Sequence, residues 1–225
     1  MSAYDMDVSD AIYGKEEDGR YVCKSRLKKI IEREYNLLEE RLDRKKHPKK
    51  LFFSFANTVA TTKYDDMQPG HGWIGVRFQL NECKMPNDVI IHIRLHENDA
   101  KLQQETIGIL GVNLLYACFN YNENPEEFIK SLYDNLTRKQ MEIDMVHMNG
   151  AEFEDIDNRL LSLLLVKNGM TEAVIFGPDG HNLQPSDVLY KKNILALRGS
   201  FRPVTKVNID MIKNGYNHFI KEKKV

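Results

Sequence analysis

The sequence of 225 residues has few cysteines and no long apolar run. Its three cysteines, Cys23, Cys83 and Cys118, are odd in number and form no CxxC pair, so the sequence supports neither a disulfide framework nor a cysteine zinc site. The longest apolar run, 107–119, has about 13 residues, fewer than the roughly 18–20 that cross a bilayer. These absences predict a protein of a reducing compartment that has no membrane partner.

The sequence also lacks an excess of either charge and an apolar leader. Its 32 Lys and Arg residues balance 33 Asp and Glu residues, which argues against nucleic-acid binding through the overall field of the protein. The first ten residues, MSAYDMDVSD, are acidic and contain no apolar stretch, so we expect no signal peptide. Together with the reducing compartment and the short apolar run, this predicts a cytoplasmic location.

The amino-acid composition is typical of a folded domain, because 42% of the residues are apolar and 9% are aromatic. Residues 1–19 contain many acids, two glycines and little apolar periodicity, which predicts a flexible lead-in. We expect residues 20–225 to form a single α/β domain, with an α+β arrangement as the alternative.

Apolar residues at steps of three and four predict a long N-terminal amphipathic helix over Tyr21–Lys46. This helix should end before Pro48, because the residue that precedes a proline is disfavoured in the helical conformation. The same spacing and the usual start and stop residues predict five further helices, over 102–119, 125–138, 153–168, 186–190 and 204–220. For the apolar segment 102–119 a buried strand is the alternative.

Alternating apolar and polar residues predict an antiparallel hairpin. Its first strand covers 73–80, its second covers 89–96, and the polar connection 81–88 has a length compatible with a hairpin. Further strands are expected over 51–55, 141–147, 173–176 and 194–197. The predicted fold is therefore a mixed β-sheet that contains this hairpin and is flanked by helices.

The hairpin would gather polar side chains on one sheet face, where Arg77, Gln79, His92, Arg94 and His96 come within cross-strand reach. Arginine forks and titratable histidines suit a phosphate or carboxylate ligand. We predict that Arg77 and Arg94 bind the ligand and that His92 is catalytic. The alternative is the ordinary solvent-facing side of a half-buried sheet.

Two features next to this face concern ligands and metals. His92 and His96 are four residues apart, which in a strand separates them by about 13 Å, so no metal site is predicted. The segment Gly70-His71-Gly72-Trp73 precedes the strand, and its glycines would let a ligand approach the backbone. His71 is therefore predicted to bind the ligand, and a tight turn with Trp73 as packing is the alternative.

A second basic segment runs from Arg198 to Lys206, where a strand, a glycine turn and a helix start are expected to follow one another. The N-terminus of a helix favours anions, and Arg198, Arg202 and Lys206 would add positive charge. These three residues are predicted to bind the ligand. The alternative is a helix start set by Pro203, with salt bridges to acids elsewhere.

The acidic segment 152–157 could supply a general base or hold a hard cation. Asp157 is the predicted catalytic residue of this segment, because Arg159 or Asn158 would position it. The alternative is that these acids only favour the start of a helix. The sequence shows no local signature of a Ser-His-Asp or Cys-His catalytic site.

Several segments over about Leu51–Met211 resemble a known family. They are FFSFANTVA, GHGWIGVRFQ, VIIHIRL, LQQETIGILGVNLLYACF, DNRLLSLLLVKNGMTEAVIFGPDG and LYKKNILALRGSFRPVTKVNIDM. The chain resembles a family of poorly characterised bacterial proteins, about twice this length, that often carry the label nicotinate-nucleotide adenylyltransferase. The resemblance implies a nucleotide ligand and nucleotidyl transfer, and it implies that the chain corresponds to the N-terminal half of a longer architecture.

Two functional hypotheses follow. The first is binding of a nucleotide or another phosphorylated ligand, with nucleotidyl transfer as its catalytic form and Mg²⁺ accompanying the nucleotide as the one candidate cofactor. The second is a non-enzymatic assembly or protein-interaction module that uses the Tyr21–Lys46 helix and apolar sheet surfaces to form a homo-oligomer or to bind a partner domain.

Overall fold

The computed structural model of the chain describes residues 12–14, 21–42, 45–47, 51–62, 69–82, 85–189 and 192–223. The chain divides into two compact units, residues 1–184 and residues 185–225, whereas the sequence predicts a single domain over 20–225. The predicted lead-in 1–19 lies outside the described residues, apart from residues 12–14.

The first unit contains four helices and six strands among its described residues. In chain order these are α1 Lys24–Arg41, β1 Phe53–Ala60, β2 Gly70–Phe78, β3 Asn87–Leu95, α2 Ala100–Asn120, α3 Pro125–Ser131, β4 Met141–Asn149, α4 Asn158–Lys167, β5 Ile175–Phe176 and β6 Asn182–Leu183. In the second unit the structure describes helices α5 Pro185–Leu189 and α6 Lys206–Lys223. None of the described helices combines the length and the apolar character needed to span a bilayer.

Strands β1 to β4 form one sheet in the order β1-β2-β3-β4, and β5 pairs with β6 in a second, two-stranded sheet. The predicted α/β class and the predicted β2–β3 hairpin are therefore confirmed. Every described strand pair is antiparallel, so the sheet is not mixed in direction. Short connections join β1 to β2 and β2 to β3, and such connections produce antiparallel neighbours.

The four-stranded sheet is covered on both faces. One face, with Ile74, Val76 and Ile91, packs in the main core together with residues of α2, α3 and α4. On the opposite face, Leu27 and Ile31 of α1 pack in a second cluster that is completed by Trp73, Ile90 and Met145. The alternation predicted for β2 and β3 thus places the apolar residues correctly, but α1 covers the face that carries the polar ones.

Helix α1 covers 24–41 and is shorter than the predicted helix over Tyr21–Lys46. Its buried residues Leu27, Ile31 and Tyr35 are spaced by four, so they form one stripe that faces the sheet. Leu42 has an extended backbone, with φ −96° and ψ 110°. The helix ends where the buried stripe ends, because packing of an apolar face provides most of the stability of a helix in a protein.

The second unit differs from the sequence prediction before α6. The strand predicted over 194–197 is not formed, because in the described structure this segment has no partner strand to accept its backbone hydrogen bonds. Helix α6 begins at Lys206, two residues later than predicted. A reciprocal cap sets this start: the backbone N–H of Thr205 donates to Asn208 Oδ1 at 2.8 Å, and the N–H of Asn208 donates to the Thr205 hydroxyl at 3.3 Å.

Candidate functional site

The sheet face beneath α1 holds a group of polar residues around His92. We call it the His92 cluster, and it consists of His71, Trp73, His92, Arg94, His96, Glu142 and Asp144. His92 is 2% exposed, and its Nδ1 lies 2.6 Å from Asp144 Oδ1. The His92 ring centroid lies 4.7 Å from that of Trp73 and 5.8 Å from that of His71. His92, Arg94 and His96 of the predicted polar face lie together here, His71 joins them from the separately predicted glycine segment, and His92 is buried.

A β-bulge in β4 brings Asp144 to this face. Met145 pairs with His92 while Ile143 pairs with Ile93, so Asp144 is an extra residue in the strand. The bulge reverses the alternation of β4. Ile143 points into the main core, whereas Met145, two residues later, packs against α1 on the opposite face of the sheet. The regular alternation predicted over 141–147 is wrong at this point.

Carboxylates face the cations of the His92 cluster. Arg94 Nε lies 3.3 Å from Asp144 Oδ2, and Arg94 Nη1 lies 3.9 Å from Glu142 Oε2. His96 Nε2 lies 3.7 Å from the same Glu142 oxygen. The predicted cationic face is therefore neutralised by acids, and a phosphate would have to compete with these carboxylates for Arg94.

Arg77 lies at the other end of the same face and is also engaged by acids. Its Nε and Nη2 donate to the two oxygens of Asp88 at 2.7 Å and 3.1 Å, which is a bidentate pair. Its Nη2 also lies 3.3 Å from Glu32 Oε1 of α1. Arg77 therefore links α1 to the sheet, and its fork is not presented to an anionic ligand.

Asp157 is the N-cap residue of α4, apart from the His92 cluster. Its Oδ1 accepts from the Arg159 backbone N–H at 2.9 Å, and its Oδ2 accepts from Arg159 Nη2 at 2.7 Å. Of the two neighbours that the sequence suggested for Asp157, Arg159 is the one that binds its carboxylate. These hydrogen bonds lower the pKa of Asp157 to about 2, so the carboxylate is a poor general base near neutral pH.

The three basic residues predicted in the second unit remain at the surface. Arg198, Arg202 and Lys206 are exposed, and none of them forms an ion pair with another residue that the structure describes. The cap between Thr205 and Asn208 already uses backbone N–H groups at the start of α6. These cations belong to a different unit from the His92 cluster.

The second unit also exposes apolar side chains. Of the side chains that the structure describes over 185–222, none is buried. The exposed large apolar residues, which we call the second-unit apolar surface, are Leu189, Ile194, Leu195, Leu197, Val204, Val207, Ile209, Met211, Ile212 and Tyr216. Sequence reasoning predicted the amphipathic helix α6 but not this exposure, because the sequence does not show whether an apolar face is covered.

The described residues differ from the ligand sets that hold metal ions in proteins. Among the described residues, no group of three or more His, Cys, Asp or Glu side chains is placed to hold a metal ion.

The acids that sequence reasoning missed are Asp88, Glu142 and Asp144. Glu142 and Asp144 interrupt the apolar residues of β4, but only the pairing of β4 with β3 shows that they meet His92 and Arg94.

His147 lies on the same sheet face and is half-buried. Burial lowers the pKa of His147 most, and the positive charges of Lys24 and Lys28 together with His181 lower it further, to about 4. His147 is therefore neutral at pH 7, and protonation in the folded state is unfavourable.

We expect the Asp144→Asn substitution to lower the free energy of unfolding by about 2–4 kcal/mol, because Arg94 and His92 lose a buried negative partner. Urea unfolding measures this free energy. It can be followed by the fluorescence of Trp73, which is the single tryptophan and contacts His92. Asp134→Asn, at an exposed aspartate, is the matched control and should change the free energy by no more than about 0.5 kcal/mol. Equal unfolding midpoints for the two variants would contradict the structural role of Asp144.

We expect His147 to make the fold less stable as the pH falls from about 6.5 to about 4. The unfolded chain takes up the proton near the ordinary pKa of 6.5, whereas the folded chain takes it up only near 4, so acid favours the unfolded state over this interval. The same fluorescence measurement at a series of pH values should show a shallower loss of stability in His147→Gln than in the wild type. His218→Gln, at an exposed histidine of α6, is the control and should follow the wild type.

Comparison with known proteins identifies no relative: no protein-family model, no curated protein and no solved structure matches the chain.

Proposed function

We propose that this chain is an assembly module that self-associates through the second-unit apolar surface. The observation that carries the proposal is that the described part of the second unit buries none of its side chains while it exposes ten large apolar ones. Exposed apolar side chains that are concentrated in one segment are typical of protein-interaction sites, because water is a poor environment for them.

Helix α6 gives this surface a regular shape. Ile209, Ile212, Tyr216 and Phe219 are spaced by three, four and three residues, so they share one face, which we call the α6 stripe. Ile209, Ile212 and Tyr216 are each about half exposed, at 46%, 50% and 55%. An amphipathic helix with anchors at this spacing is the usual element for docking into an apolar groove.

The first unit supports assembly rather than catalysis. His92 is buried and hydrogen-bonded to Asp144, and Asp157 is engaged in a helix cap. Helix α1, which the sequence suggested as the assembly helix, has Leu27 and Ile31 packed on the sheet. The association surface that we propose therefore lies on α6 and on the segment before it, rather than on α1.

The two described cysteines are compatible with a protein of a reducing compartment. Cys23 and Cys118 form no disulfide with another residue that the structure describes, and both are buried. Burial also raises the pKa of Cys118, which keeps it in the unreactive thiol form. We propose that the module works in the cytoplasm, where thiols stay reduced.

We expect the Ile212→Lys substitution to prevent self-association, because a charged group replaces an anchor at the centre of the α6 stripe. Sedimentation velocity of the wild type over a range of concentrations should show a species larger than the monomer, and the variant should lose at least about tenfold in its association constant. Asn217→Lys adds the same charge at an exposed polar position of α6 and should associate like the wild type. A wild type that is monomeric at every concentration would overturn the proposed function.

A second candidate function is binding of a phosphorylated ligand, such as a nucleotide, by Arg198, Arg202 and Lys206. One observation favours it: these cations are exposed within nine residues of chain and have no acidic partner among the described residues. The sheet residues Arg77 and Arg94 do not support it, because carboxylates already engage both of them. If the ligand is a nucleotide, Mg²⁺ would arrive with its phosphates, and nucleotidyl transfer would be the corresponding reaction.

We expect that, under this second candidate, nucleotides with and without Mg²⁺ raise the melting temperature of the wild type, because a ligand that binds only the folded state stabilises it. Arg202→Ala should lose the shift, whereas Lys213→Ala, at an exposed lysine further along α6, should retain it. A shift of equal size in both variants would assign the binding to another surface, and the absence of any shift would remove this candidate.

A further inference from the structure

Helix α4 of the first unit borders a surface groove of about 540 Å³. Its apolar lining includes Ile156, Leu160, Leu163 and Leu164, and its charged lining residues are Asp155, Asp157 and Lys167. We call it the α4 groove. Leu160 is 62% exposed and Leu163 is 47% exposed.

Helix α4 has apolar residues on more of its surface than the core uses. Leu161 and Leu165 are buried in the main core, whereas Leu160 and Leu163 point away from it. A helix that is apolar nearly all round is normally covered on all sides. The exposed side of α4 therefore favours a partner that is itself apolar.

The distribution of charge indicates what this partner is. Residues 185–225 carry nine Lys and Arg against three Asp and Glu, whereas residues 1–184 carry 23 against 30. Pairing of α6 with α6 from a second copy would bring two basic surfaces together, which like-charge repulsion disfavours. Contact between the basic second unit of one copy and the acidic first unit of another brings opposite charges together.

The two apolar surfaces also match in kind. The α6 stripe is a row of helical anchors, and the α4 groove is a concave apolar surface. Lys213 lies on the side of α6 that carries Ile209 and Tyr216. The groove lining has two acids, Asp155 and Asp157, against one base, Lys167, so apolar contact and charge complementarity act together.

We propose that the α6 stripe of one copy docks in the α4 groove of a second copy. This inference rests on the proposed self-association and names the surface that receives α6. Reciprocal docking, with each copy giving its α6 and receiving the other, closes a two-fold dimer with two equal contacts.

Two double variants test the inference by complementation. The helix variant, Ile212→Lys with Tyr216→Lys, removes the stripe but keeps the groove. The groove variant, Leu160→Lys with Leu163→Lys, removes the groove but keeps the stripe. All four residues are exposed, and circular dichroism establishes that each variant is folded. Leu102→Lys with Tyr116→Lys, on exposed positions of α2, is the matched control for the groove variant.

In sedimentation velocity, we expect the wild type and the control to dimerise and each double variant alone to lose at least about tenfold in its association constant. An equimolar mixture of the helix and groove variants should form a heterodimer again, because the intact α6 of one meets the intact groove of the other. This heterodimer should be weaker than the wild-type dimer, since it retains one contact of the two.

The remaining outcomes separate the two proposals. If the groove variant dimerises like the wild type while the helix variant is monomeric, the inference is overturned and the proposed function stands. The same conclusion holds if both variants are monomeric and their mixture stays monomeric. If the helix variant dimerises like the wild type, or if the wild type is monomeric at every concentration, both proposals are overturned.

Discussion

Helix α1 lies across the polar face of the sheet, and this packing governs the electrostatics of the first unit. Leu27 and Ile31 approach β2 closely at Gly75, where an added Cβ would lie only 3.0 Å from Leu27 Cδ2. This cover removes water from much of the face, and a charge without water needs a partner of opposite sign. Arg77 with Asp88, and Arg94 with Asp144, meet that requirement.

The two units differ in how much of their apolar surface is covered. The first unit covers both faces of its main sheet and pairs the charges of the α1 face. The described part of the second unit leaves its apolar residues exposed, including Ile212 and Tyr216 of α6. Burial of apolar surface is the main favourable term in folding and in association, and the proposed self-association rests on this contrast between the units.

The hairpin was predictable because Ile74, Val76 and Phe78 alternate with polar residues, and alternation depends only on local backbone geometry. The Asp144 bulge was not predictable, because an extra residue in a strand shows itself only against the register of its neighbour. Arg159 was correctly placed beside Asp157, since they are two residues apart. The partners of Arg77 and Arg94 were missed, because Glu32 and Glu142 are distant in sequence.

The sequence by itself determined the α/β class, the hairpin and the amphipathic character of α1 and α6, because each depends on residues a few positions apart. Tertiary structure decided which faces are covered. It packed α1 on the sheet face that carries His92, neutralised the predicted cationic face with acids from β3 and β4, and left the apolar residues of α6 exposed. The physical reason is that burial and ion pairing depend on contacts between distant segments, and no local pattern specifies those contacts.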